Sequence, residues 1–335
     1  MNAAARDQFG ERRKARWQRT IRILGAEFAV TSNSRELLHL LDDAFAHLPP
    51  HRITARRPRA NVRLNLSAEP ATRHRGAPPP VQLQGGGGLL IGAMDAANFA
   101  AISLPTRSAL VCVSRSMLAF PYHVRYELLE FAIMTLAPRV LGLVPLHAAC
   151  VGLHGVGLLL NGATGAGKST LSTACVAGGF DLLAEDGVFV EPASLRATGC
   201  ANFLHLHGES LRFLSDARLR AAFRAAPVIR RRSGARKFEL DARRAALPLA
   251  QGPLRLAAMV MLSPRRARRG RLLEPLARAE RLAILTREQP YAAGQPGWRA
   301  FCTRLLRLPA YRLLRAAHPD VAVHALRELL AGLPR

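Results

Sequence analysis

An α/β fold in two domains is the class this sequence predicts, and three observations carry it. The first is a strand, loop, helix and strand unit from Leu158 to Glu191, LLLNGATGAGKSTLSTACVAGGFDLLAEDGVFVE. Its apolar run Leu158-Leu159-Leu160 is long enough for a buried strand. A helix from Lys168 to Val176 is stopped by Gly178-Gly179, and a second apolar run spans Phe180 to Ala184. The second observation is strict alternation from Asn61 to Leu66, with Val62, Leu64 and Leu66 on one side of a half-buried strand. The third is length: 335 residues suffice for two domains and a large core.

Taken in order, residues 1–17 read as a charged, frayed terminus whose run Glu11-Arg12-Arg13-Lys14 is a solvated face. Residues 18–116 read as a small α+β domain. It holds a strand over Ile21–Val30, a helix starting near Ser34 with Leu37, Leu40 and Leu41 inward, and the alternating strand. A loop over Arg73–Pro80, a hairpin turn at Gly85–Gly88 and strands over Leu89–Met94 and Ala109–Val113 complete it. Residues 117–335 form the second domain. Its first helix, Val124–Leu141, places Leu128, Phe131, Ala132 and Thr135 on one face and meets Pro138 near its end. Two strands, Leu146–Leu153 and Gly157–Leu160, are joined by the tight turn His154-Gly155-Val156-Gly157. Further strands are expected at Gly187–Val190, Ala201–Leu206 and Arg255–Ser263, with an arginine-rich loop at Arg230–Lys237. From Glu280 onward the pattern is largely helical, broken at His318-Pro319 before a last amphipathic helix, Val321–Leu330.

The net charge of +25 would ordinarily point to nucleic acid. Here the arginines are scattered through every expected element, so the charge reads as a bias of the whole chain and not as a footprint. The five cysteines, Cys112, Cys150, Cys175, Cys200 and Cys302, are dispersed and form no CxxC pair, as reduced core thiols of a cytoplasmic protein would be. The polar N-terminus has no apolar signal-peptide core, and the most apolar stretch, Phe131–Leu160, is cut by prolines and histidines, so no membrane span is expected.

The chemistry lies in the loop Gly162-Ala163-Thr164-Gly165-Ala166-Gly167-Lys168-Ser169, followed by Thr170. This pattern cradles phosphates on backbone N–H groups, reaches the terminal phosphates with Lys168 and holds Mg²⁺ with Ser169. The helix behind it points its positive end at the anion. Of the 48 basic residues only Lys14, Lys168 and Lys237 are lysines, so a lysine in the loop marks a need for a compact ammonium. Glu185 and Asp186 stand at the end of the next strand, where an acid can accept a proton or hold Mg²⁺. ATP and Mg²⁺ are therefore the expected cofactors. There is no NKxD for guanine readout and no LSGGQ, which argues against a GTPase or a transporter ATPase.

His147, the loop and the closely following acid pair together resemble the catalytic domain of the HPr kinase/phosphorylase family. The likeness is good over Leu146–Glu191 and weaker at Gly208-Glu209 and in the last third. LHAA at His147 and LEPLARAE at Leu273–Glu280 are similar to the divergent HPr kinase-related kinases. The resemblance implies a P-loop domain with a mixed sheet sharing its nucleotide core with PEP carboxykinases, on which His147 neighbours the P-loop strand. It implies Lys168 and loop residues Gly162 to Thr170 on ATP, Ser169 and Asp186 at the metal, Glu185 as base on the acceptor hydroxyl and His147 in support. The family's acid after the loop serine is Thr170 here, its first paired Asp is Glu185, and its signature for the reverse reaction has no counterpart.

The expected activity is thus ATP-dependent transfer to a hydroxyl, of a protein or peptide serine or of a small molecule, compatible with a homo-oligomer. Two rivals are a nucleotide-binding regulator with slow or no hydrolysis and a basic nucleic-acid-associated protein. A kinase requires its acid at an open cleft, whereas a regulator buries it or pairs it with an arginine. Lys237 reads as a basic loop residue within reach of the site. His205 and His207 alternate along one strand and, lacking a third ligand, read as structural.

Overall fold

The computed structural model describes residues 15–55, 57–67, 76–267, 272–295 and 297–333. The expectation for residues 1–14 and the first three residues of the expected loop at 73–80 lie outside these. The fold is mixed α/β, and the chain divides into two compact units, residues 1–46 with 56–141 and residues 47–55 with 142–335.

The first unit is a seven-stranded mixed sheet with strands β1 Trp17–Ile23, β2 Ala26–Ser32, β3 Arg59–Ser67, β4 Gln82–Gly86, β5 Leu89–Ala93, β6 Phe99–Ser103 and β7 Ser108–Ser114. Their order is β1-β2-β3-β7-β6-β5-β4, with β3 parallel to both β2 and β7. The helix α1, Arg35–Phe45, starts next to Ser34 as expected, is capped by the Ser34 side chain and buries Leu37, Leu38 and Leu41. Helical turns α2 Pro121–His123 and Val124–Glu130 lead into α3 Phe131–Leu141, which packs on β2, β3, β6 and β7. Alternation along β3 buries Ala60, Val62, Leu64 and Leu66.

Three expectations change here. Ile21–Val30 is a hairpin of β1 and β2, turning on Leu24 at φ 55° and Gly25 at φ 105°; the single glycine was too weak a signal. β6 was not foreseen. The helix 121–141 belongs with this unit's sheet, so the units divide at Leu141 and not near Ser116, while His47–Ala55 packs with the second unit. Within that second unit His51 holds Thr198 Oγ1 at 2.7 Å and the Ala250 carbonyl at 2.9 Å.

The second unit is built on a nine-stranded mixed sheet. Its strands are β8 Val144–His147, β9 Ala149–Leu153, β10 Val156–Asn161, β11 Asp181–Ala184, β12 Gly187–Val190, β13 Arg196–Gly199, β17 Leu254–Arg266, β18 Leu273–Pro275 and β19 Ala310–Arg315. A three-stranded sheet holds β14 Phe203–Leu206, β15 Val228–Arg230 and β16 Arg236–Asp241 in the order β14-β16-β15. The P-loop strand β10 lies between antiparallel β9 and parallel β17. Leu158 and Leu160 face a core shared with α4 Lys168–Ala177, α5 Ala217–Ala225 and α9 Pro319–Gly332. Leu159 faces the opposite core, against α6 Arg278–Glu288, α7 Pro290–Ala293 and α8 Trp298–Leu305. A strand covered on both faces reads as an unbroken apolar run, as this one does.

Leu146–Leu153 is two strands. β8 pairs with β12, placing His147 opposite Gly187, while β9 pairs with β10, so His147 is not on a strand beside the P-loop strand. The switch at Ala148 is held by its N–H on the Asp186 carbonyl at 3.2 Å, a tertiary bond with no local sequence mark. Arg230–Lys237 is the tip of the β15–β16 hairpin, closed by Arg231 N–H on the Ala235 carbonyl, and Lys237 lies on a strand. β13 and β19 were also missed.

Leu158 is fully buried. Leu158→Ala is expected to cost about 2–5 kcal/mol in urea unfolding, whereas Val321→Ala, at a half-exposed site, should change stability by less than about 0.5 kcal/mol.

Candidate active site

The loop after β10 closes on the N-terminus of α4. Gly165 and Gly167 adopt φ of 83° and 99°, a left-handed backbone that L side chains rarely take, and Gly167 caps the helix. At Gly162 the constraint is space, since a Cβ there would lie 3.1 Å from both Ala166 Cβ and Leu262 Cβ. Ala163, Thr164 and Gly165 are exposed at the loop's crest, and Ala166, Gly167, Ser169 and Thr170 are half-buried.

Lys168 is only 8% exposed. Its Nζ donates to the Gly162 carbonyl at 2.6 Å and stands 3.3 Å from His147 Nε2. Burial lowers its pKa, the carboxylates of Asp186, Glu185 and Glu288 pull it back, and Lys237 adds to the lowering. The other nitrogen of His147, Nδ1, meets Asp186 Oδ1 at 3.1 Å, with both side chains 48% exposed. The β8 end that carries His147 is gripped by Gln289, 2% exposed between α6 and α7. Gln289 Oε1 accepts the His147 N–H at 2.7 Å, and its Nε2 donates to the His147 carbonyl at 2.9 Å and to Asn161 Oδ1 at 3.3 Å.

Glu185 faces the other way. It is 7% exposed, has the Ser169 hydroxyl close enough to act on it and lies 3.2 Å from His205 Nδ1. Burial alone would raise its pKa, but the bond and charge of His205, the nearby Ser169 hydroxyl and the charge of Lys237 outweigh burial and hold the carboxyl below its ordinary value. His205 Nε2 reaches Glu239 Oε2 at 3.0 Å. Burial would lower the His205 pKa, yet its bonds to the two glutamates raise it above the ordinary 6.5.

The structure therefore brings Lys168, Ser169, His147, Glu185 and Asp186 together as the sequence grouped them. It adds His205, Glu239 and Gln289, and the charge of Lys237, which the sequence set within reach, acts on Glu185 and Lys168. His205 had been read as structural with His207, but only His205 is buried and His207 is exposed. Glu239 carried no signal, because only the pairing of β14 with β16 sets it opposite His205. Beside the loop lies a cavity of about 420 Å³ lined by Gly165, Thr170, Phe213, Pro264, Leu313 and Arg315 among others. No group of three or more His, Cys, Asp or Glu among the described residues is arranged to hold a metal ion alone. None of the five cysteines forms a disulfide, and burial pushes Cys175 up to about 12 and Cys302 to about 11. No helix among the described residues is long and apolar enough to cross a membrane.

No family model and no curated protein matches the chain. Among solved structures, the Hpr(Ser) kinase/phosphatase from Coxiella burnetii is similar over 56% of this chain and 96% of that one, at 12% identity and a TM-score of 0.29. So low a TM-score carries no argument about fold or function.

A histidine whose folded pKa is raised stabilises the fold fully below its unfolded value and loses that contribution as pH climbs through the folded one. The stability advantage of the wild type over His205→Gln, followed by urea unfolding across a pH series, should therefore narrow as pH rises above 6.5. An advantage that grows with pH would contradict the ion-paired imidazole.

Proposed function

We propose that this protein transfers the γ-phosphoryl group of ATP, with Mg²⁺, to a hydroxyl acceptor on a protein or peptide serine or a small molecule. The observation that carries this is the convergence on one glycine loop of a buried ammonium and two carboxylates that face different sides of it. Phosphoryl transfer asks for positioning and charge neutralisation more than for covalent chemistry. The donor set suits both cofactors. Hard oxygens of Ser169 and Glu185 match Mg²⁺, which binds through few protein ligands plus phosphate oxygens. The internal bonds of Lys168 stand where phosphate oxygens would be met. The cavity with Phe213 and Leu313 offers an apolar wall to the nucleoside. Bound Mg²⁺ would neutralise charge on the transferring phosphoryl group.

Geometry favours exchanging the two acid roles that family order suggests. A general base must be open to the proton it takes. Asp186 is half-exposed and oriented by His147, whose other nitrogen touches Lys168. Glu185 is buried against Ser169. We assign Asp186 with His147 to the acceptor hydroxyl and Glu185 with Ser169 to the metal. The burial and pairing of Glu185 is also the observation that favours a regulator, since a regulator has no use for an open acid.

Lys168→Ala is expected to abolish turnover of labelled ATP. Asp186→Asn should slow transfer roughly 10²–10⁴-fold with Mg-ATP affinity nearly unchanged, whereas Glu185→Gln should weaken Mg-ATP binding. Opposite effects would restore the family-order roles, and no effect of Asp186→Asn on any transfer would leave the regulator standing.

A further inference from the structure

Of the buried chain of carboxylate, imidazole and carboxylate, only Glu185 has a part in the reading above; His205 and Glu239 have none. Its members come from three separate segments: Glu185 after β11, His205 on β14 and Glu239 on β16. Their side chains are 8%, 8% and 10% exposed. Both ring nitrogens of His205 face a carboxylate oxygen, at 3.2 and 3.0 Å. Ionised carboxylates only accept, so hydrogens on the imidazole, or one shared with a carboxyl group, must fill both gaps. The Glu185 carboxylate cannot turn away without losing its contact with His205 Nδ1. A buried ionic trio is a poor way to stabilise a core, because apolar replacements of similar volume are often neutral or better. What the trio does supply is a fixed direction for one carboxylate.

We propose that His205, held from behind by Glu239, is a positioning residue that fixes the Glu185 carboxylate against Ser169 and thereby sets the geometry of Mg²⁺ binding. This rests on the phosphoryl-transfer reading. Outer partners that orient a ligating carboxylate in this way commonly govern metal affinity. Lys237, whose charge acts on Glu185, and Arg231, whose charge acts on His205, belong to the same β15–β16 hairpin that carries Glu239, while Lys168 acts on Glu185 from α4. His205 thus ties the basic hairpin to the metal side of the phosphate loop.

The test titrates Mg²⁺ by calorimetry into the full chain saturated with the non-hydrolysable analogue AMP-PNP, beside the affinity for AMP-PNP without metal. Asn places its amide nitrogen where His205 Nδ1 stands and keeps the donor to Glu185. Gln places its amide nearer Nε2, toward Glu239. His205→Gln should weaken Mg²⁺ roughly 10- to 100-fold and leave metal-free AMP-PNP affinity unchanged, while His205→Asn retains most of the Mg²⁺ affinity. Glu239→Gln, which keeps the histidine, should fall between them. Equal losses in Asn and Gln variants, accompanied by equal losses of metal-free affinity, would show a merely structural bond and overturn the proposal. Unchanged Mg²⁺ affinity in His205→Gln on a wild type that binds Mg-AMP-PNP overturns it alone. A wild type that binds no AMP-PNP overturns the functional reading and this inference together.

Discussion

The cost of burying one ammonium organises the second unit. Lys168 Nζ lies among backbone and side chains with 8% of the residue exposed, and an unpaired charge there would neutralise or leave. It is kept by a carbonyl of its own loop, a histidine and the field of three carboxylates. Each of these needs its own support. The Gly162 carbonyl points inward because the loop turns on Gly165 and Gly167. His147 is set by Gln289, whose amide pairs with its main chain as a neighbouring strand would. The two acids sit on the tight connection between β11 and β12, so one points into the protein and one out.

That connection explains how adjacent residues acquire unlike properties. Glu185 is enclosed by Ser169 and His205, and the burial that would protonate it is offset by charge-assisted bonds. Asp186, half-exposed, meets His147 Nδ1 and acts on the Lys168 charge. Two carboxylates in different environments are what a site needs when one is to hold charge and the other to exchange a proton. The chain's surplus of arginine matters less at this point than its scarcity of lysine: two of three lysines, Lys168 and Lys237, act on the same carboxylate.

How much of this the sequence announced depends on how local each signal is. The loop, its helix and the strand ending in acids were legible because glycine spacing and apolar runs act within a few residues. The alternating β3 and the helix start near Ser34 were legible for the same reason. The break at Ala148 was not, because nothing but its partner strands distinguishes it from its apolar neighbours. Glu239 and Gln289 were invisible, since each reaches the site only through the pairing of distant segments. His205 reads as structural in the sequence for want of a third ligand beside His207, and its two carboxylate partners, 20 and 34 residues away, leave no local mark.

The most direct test of the account is the fate of the γ-phosphate. Purified protein would be incubated with γ-labelled ATP, Mg²⁺ and an extract of its own cells, with Lys168→Ala in parallel. The account predicts label covalently attached through oxygen to a discrete acceptor, present with the wild type and absent with the variant. Label released solely as inorganic phosphate, or acceptor labelling that survives Lys168→Ala, would contradict it.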